Sequence, residues 1–200
     1  MTNKGMFPAT AMPDTEWWQA LWPDPPEVLR KVGFNEGQTA VDLCCGDGLF
    51  TVPMASLLNA RVYAVDLDSE MLSRAKQAIA DAGAELCQWV EGDARDIAQL
   101  IPDKVDIVLI ANTFHGVPDQ MALAQGAAGV LKPGGRFVVV NWHVRPREET
   151  TVIGVPRGPC TEMRMSPEQV RAVVEPAGFD FVEAVELPPY HYGAVFSLKH

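Results

Sequence analysis

Five short runs rich in β-branched and aromatic residues, TAVDLC, RVYAVDLD, ELCQWVEGD, VDIVLIA and RFVVVNW, recur between residues 39 and 142, with helix-patterned segments between them. Strands separated by helices cannot pair as tight hairpins; they join as parallel crossovers, which leaves helices on both faces of the sheet. The spacers carry the matching signals. In SEMLSRAKQAIADAG, Met71, Leu72, Ala75 and Ile79 recur at helical spacing, with Ser69 placed as N-cap and Gly83 as the stop. EVLRKV reads as a helix ending at Gly33, LFTVPMASLL as a helix with Pro53 in its first turn, and QMALAQGAAGVL as a helix followed by the turn KPGG.

After residue 144 the pattern changes. Residues 144–165 hold little periodicity and several prolines and glycines, which predicts a long surface excursion of the kind that often serves a function. SPEQVRAVVEPAGF restores a helix, capped by Ser166 with Pro167 at its first position. FDFVEAVEL and HYGAVFSLK are joined by only PPY, too short for a parallel crossover, so they form an antiparallel hairpin. The expected fold is α/β and doubly wound: a mostly parallel, seven-stranded sheet closed by a C-terminal antiparallel hairpin.

Two hundred residues suit one domain, here residues 26–200, preceded by residues 1–25, which carry Trp17, Trp18 and Trp22 and read either as a lid over the site or as a leader stapled to the domain. The start lacks a charged head and apolar stretch of a secretory signal, no apolar run reaches the roughly 18 residues of a membrane span, and four cysteines form no CxxC pair. A cytoplasmic protein without a membrane partner is expected. The net charge of −10 opposes a phosphate backbone, which excludes nucleic acid as the expected partner.

The stretch VDLCCGDGLF places a glycine turn at the end of the first strand. Leu49 stands where a phosphate-binding loop needs Lys, and Thr51 stands where a nicotinamide fingerprint needs a third small residue. The nicotinamide reading is weakened rather than removed, and S-adenosylmethionine, which has no pyrophosphate, stands beside it. Asp66 ends the second strand, 18 positions after Gly48, where a carboxylate accepts from ribose hydroxyls.

VDLCCGDG, AVDLD, EGDARD and LKPGGRFVVV occur in order at spacings that resemble the class I S-adenosylmethionine-dependent methyltransferases, especially the small UbiE-like or type 11 group, over residues 26–198. The resemblance implies a Rossmann-like methyltransferase fold and a methyl transfer from S-adenosylmethionine, leaving S-adenosylhomocysteine, to a small-molecule acceptor. It implies that Asp42, Cys44, Gly46 and Gly48 shape the pocket for the methionine part, that Asp66 and the following Leu67 meet the ribose side, that Asp93 and Ala94 meet the adenine, and that Asn112 sits beside the methionine moiety. Cys44 replaces the glycine usual in the family, which is tolerable if it keeps a negative φ and turns its side chain away from the cofactor. A binding protein without turnover and a nicotinamide oxidoreductase are the alternatives.

In an open α/β sheet, ligands lie outside the carboxyl ends of the parallel strands. Those ends and the closing hairpin bring His115, His143 and His191 toward one edge, where His115 or His191 is expected to orient or deprotonate the acceptor. No short ligand spacing supports a metal there, and none is expected. Cys160 falls in the loop expected to roof the acceptor pocket.

Overall fold

The computed structural model describes residues 15–56, 59–84 and 87–199. Two helices, α1 (Thr15–Leu21) and α2 (Pro25–Lys31), lead into β1 (Thr39–Leu43). There follow α3 (Thr51–Ser56), β2 (Arg61–Asp66), α4 (Ser69–Asp81), β3 (Cys87–Glu91), α5 (Ile97–Leu100), β4 (Val105–Ala111), α6 (Gln120–Val130) and β5 (Leu131–Trp142). A two-stranded hairpin, β6 (Thr151–Val152) and β7 (Val155–Pro156), interrupts the excursion before α7 (Pro167–Val174), β8 (Phe179–Leu187) and β9 (His191–Leu198).

Seven strands form one sheet in the order β3-β2-β1-β4-β5-β9-β8, parallel through β5 and antiparallel across β9 and β8. The doubly wound, mostly parallel sheet with a C-terminal antiparallel hairpin is therefore the architecture the alternation predicts. Its central strands are apolar on both faces. In β4, Val108 and Ile110 pack with Phe137 and Val139 in one core, while Ile107 and Leu109 pack with Val138 and Val140 in the other. Period-two alternation sends sequence neighbours to opposite sides, and only a sheet covered twice buries both. The outer strand β8 carries Asp180, Glu183 and Glu186, charges that discourage pairing at an edge.

Three local expectations differ from the structure. The N-cap of α4 is Asp68, not Ser69: its carboxylate accepts the Glu70 N–H at 2.8 Å. KPGG does not end one element before the next begins. β5 starts at Leu131, which pairs with Val105, and the following partner of β4 is Arg136 opposite Ile107, so residues 132–135 bulge from the strand. The N-terminal tryptophans divide their work: Leu21 and Trp22 are buried in the core against α2 and α3, while Trp17 and Trp18 also reach the site described below. Residues 1–14 of the expected leader lie outside the described residues. No described helix is long and apolar enough to cross a membrane.

Candidate active site

β1 lies between β2 and β4, the point where the winding reverses, and the chain leaving it makes the floor of a cavity of about 1010 Å³. Cys44 and Gly46 both adopt left-handed backbone, with φ of 56° each. This corrects the expectation of a negative φ at Cys44, and the residue lines the cavity rather than avoiding it. The reason is tertiary: the Cys45 N–H donates to the Val65 carbonyl at 3.1 Å and the Gly46 N–H to Asp66 Oδ2 at 2.9 Å, bonds that require the chain to turn at once after Leu43. They offset the roughly 1–2 kcal/mol that a left-handed conformation costs a residue with a Cβ. Burial, then the charges of Asp66, Asp42 and Asp93, push the Cys44 thiol far up, so it is held protonated.

Gly48, expected to shape the pocket, does not line it. With φ of 94°, it allows the turn to lie on α4, where a Cβ would sit 3.2 Å from Ala75 Cα and Cβ. Thr51, the residue that spoils a nicotinamide fingerprint, donates its hydroxyl to Asp42 Oδ2 at 2.6 Å. Asp42 is buried, and burial raises its carboxyl to about 7 against the lowering bond from Thr51 and with a further push from Asp66.

Asp66 is placed by its own backbone contacts: Oδ2 takes the Gly46 N–H and Oδ1 the Asp68 N–H, each at 2.9 Å. Each oxygen keeps a lone pair for a ligand hydroxyl. Leu67 beside it is 42% exposed and lines the cavity, an apolar surface open to a flat ligand. Asp93 lines it too, but its carboxylate is clamped by Arg95, with Nε 3.0 and 3.2 Å from its two oxygens and Nη2 2.6 Å from Oδ2. That partner holds Asp93 below the usual carboxylate range, so it stays an acceptor. Ala94 is buried on the same wall. Asn112 follows β4 with φ of 60°, and both its side-chain oxygen and nitrogen are buried without a protein partner. A buried amide left unpaired at the edge of a cavity is fitted to a polar ligand. Asp47 and Asp68 complete a ring of five carboxylates with Asp42, Asp66 and Asp93.

The three histidines gather at one edge of the sheet, as expected, but only His115 of the three lines the cavity. His115 lines the cavity, with Nδ1 3.4 Å from Asn141 Oδ1, and burial lowers its pKa so that it is neutral at pH 7. His143 stands off the cavity wall, 3.0 Å from Glu186. His191 is 1% exposed, with its ring 4.4 Å from Trp22 and 4.1 Å from Trp142, and neither ring nitrogen has a protein partner. Burial holds it neutral, far from the acceptor role expected of it. Among the described residues no three His, Cys, Asp or Glu side chains gather as metal donors.

The roof comes from residues 142–163: Trp142, Arg147, Arg157, Gly158, Cys160 and Met163 face the floor across the opening. Gly158 packs on the Trp142 indole, where a Cβ would come within 2.8–3.0 Å of ring atoms. Cys160 is exposed there, as the loop's position predicts. Sequence reasoning did not find Asp47, Arg95, Arg147 or Arg157. Arg95 was legible, two residues after Asp93, whereas the roof arginines carry no periodic signal.

Residues 41–139 match the family model for a methyltransferase domain of type 11. The fold, with its acid-lined turn at the reversal point, is thus that of a class I methyltransferase domain. Within the chain, residues 41–139 are the part that carries the type 11 methyltransferase family pattern. The chain is 28% identical over 117 residues to a demethylmenaquinone methyltransferase of Oceanobacillus iheyensis, which covers 58% of this chain and 49% of that one, so the chain spans about half the length of that relative. An S-adenosylmethionine-dependent methyltransferase of Aquifex aeolicus shares its fold at a TM-score of 0.77 and 24% identity, over 92% of this chain and 94% of that one. A glycopeptide N-methyltransferase complexed with sinefungin does so at 0.65 and 17%, over 88% and 85%.

Proposed function

We propose that this protein transfers a methyl group from S-adenosylmethionine to a small-molecule acceptor, at the carboxyl ends of β1 to β4. The observation that carries the reading is the ring of five carboxylates around a left-handed turn, next to the unpaired Asn112 amide. It is fitted to a ligand that is cationic at its centre and rich in hydroxyl and amino groups at its end. Asp66 receives ribose hydroxyls, Asp93 and the Ala94 backbone receive the adenine edge, and Asn112 with Asp42 and the Cys44–Gly46 turn surround the methionine part. A cavity of about 1010 Å³ is at the top of the roughly 300–1,000 Å³ of small-molecule sites, room for the cofactor and a second molecule.

When bound, S-adenosylmethionine supplies a methyl carbon already activated by its positive sulfur. The chain's part is to align, to exclude water and to take a proton. The bond from sulfur to methyl breaks as the bond from acceptor to methyl forms, the electron pair staying on sulfur as a neutral thioether. An acceptor that arrives protonated passes its proton to His115, whose Nε2 is basic when Nδ1 carries its proton toward Asn141. Trp17 and Trp18, which line the cavity, serve as the lid from the N-terminal segment. Demethylmenaquinone, after which the relatives are named, supports a small planar acceptor, and the net charge of −10 supports a small molecule over nucleic acid; a cytoplasmic site of action is part of the same proposal.

Calorimetric titration with S-adenosylmethionine, S-adenosylhomocysteine and NAD tests this reading. Binding of the first two but not of NAD, weakened on the order of 100-fold in Asp66→Ala through lost charge-assisted hydrogen bonds, is expected. Silence toward both sulfur compounds would overturn it.

A further inference from the structure

The roof differs in charge from everything beneath it. The chain has ten arginines. Arg30, Arg61, Arg74, Arg95 and Arg171 each face a carboxylate within 3.4 Å. Of the other five, Arg145, Arg147, Arg157 and Arg164 all fall between residues 145 and 164, and among the described residues none of these four makes an ion pair.

Three of them are built into the structure. Arg164 is 4% exposed: its Nε donates to the Pro159 carbonyl at 3.3 Å and its Nη2 to Thr150 Oγ1 at 2.8 Å and the Arg157 carbonyl at 3.2 Å, yet its Nη1 is buried without a partner. Arg157 stacks 5.0 Å from the centre of the Trp17 ring and buries its Nε without a partner. Arg147 is anchored through Nε to the Gly158 carbonyl at 3.0 Å. Burial and the Arg147 charge lower Arg164, as crowded cations do, and the nearby Glu148 pulls the other way without pairing. Buried cationic N–H groups without acceptors are costly unless something else supplies the acceptor.

We propose that the methyl acceptor is an aromatic acid, with its ring against Trp18 and its carboxylate received by Arg147 and Arg157, the latter held from behind by Arg164 through its carbonyl. The proposal rests on the methyltransferase reading above. A guanidinium fork matches a carboxylate in shape as well as charge, and the indole matches a flat ring. The floor enforces the orientation. The floor acids, even with Asp42 raised to about 7 and Asp93 paired with Arg95, leave a net negative surface that repels an anion, so the acid group turns up to the roof and leaves the opposite end of the ring toward Asn112 and His115. The same division keeps a cationic cofactor out of the roof.

The test measures binding by calorimetry to protein saturated with S-adenosylhomocysteine, so that no turnover intervenes. The probes are hydroxybenzoate and hydroxynaphthoate, each beside its primary amide, which keeps the shape and removes the charge. Acids are expected to bind about tenfold or more tightly than amides, with the gap shrinking at high salt. The double variant Arg147→Gln, Arg157→Gln erases the gap while holding S-adenosylhomocysteine as tightly as the parent. Arg157→Lys, which retains the charge, restores part of the preference and controls for a roof that has merely loosened. Acids and amides binding alike, acids binding the double variant as they bind the parent, or neither acid binding to protein that holds S-adenosylhomocysteine would each overturn the proposal. Protein that does not hold S-adenosylhomocysteine brings down the methyltransferase reading, and this proposal with it.

Discussion

The floor of the cavity hangs from the ends of buried parallel strands, where Asp66 and the turn beside it are fixed by backbone hydrogen bonds; the roof is an irregular excursion fixed by arginines, one glycine and one indole. The floor is acidic, the roof basic. A strand end shifts only if the sheet shifts, so the floor suits a ligand that never changes. A loop held by its own side chains changes without disturbing the core, so the roof suits the partner that distinguishes one methyltransferase from another.

The largest expected effect is at His115, on the seam between the two. His115→Ala should lower turnover of an acceptor that loses a proton by about 100-fold or more, with cofactor affinity unchanged. Equal turnover in steady-state assays would remove the residue from the chemistry. Next, the two close-packed glycines separate the regions. Gly48→Ala forces a left-handed Cβ against Ala75 and should cost about 2 kcal/mol of global stability in urea unfolding, whereas Gly158→Ala, left-handed too and closer still to Trp142, should be relieved by movement of the loop and show instead as weakened acceptor binding. Similar unfolding costs for both would mean that the roof is part of the cooperative core.

The smallest effect is a pH dependence confined to the floor. Asp42, raised from 3.8 to about 7, penalises the cofactor-free fold increasingly as pH rises from about 4 to 7, because the unfolded chain ionises there while the buried group stays protonated. A bound cation favours the ionised form. Cofactor affinity should therefore rise with pH up to about 7 and level off above it, gaining about tenfold for each unit by which the cation pulls that pKa down, and the rise should be absent in Asp42→Asn. Calorimetry across that window checks it.

These regions were also unequally legible in the sequence. β1 to β5 announce themselves because both faces of each strand are buried, which concentrates Val, Ile and Leu into short runs, and the short PPY connection gives the β8–β9 hairpin its direction. Asp42, Asp66, Asp93 and Asn112 fall at strand ends, so their arrival at one cavity follows from topology. The backbone of Cys44 was not legible, because its left-handed turn is imposed by partners at positions 65 and 66 that only the folded sheet brings near. The histidines misled for a related reason. Topology gives the edge a residue reaches, not which way its ring turns, and His191 turns between Trp22 and Trp142. The roof has no period to read.

That buried imidazole joins two covers of the cavity, the N-terminal tryptophan segment and the end of β5. Its pKa is depressed below 6.5, so the stability it lends is whole above that pH and declines as acid drives protonation in the unfolded chain first. A charge has no acceptor there. The clasp therefore has an acid limit of its own: on mild acidification, indole fluorescence should become open to a soluble quencher while the amides of the central strands still resist exchange with deuterium.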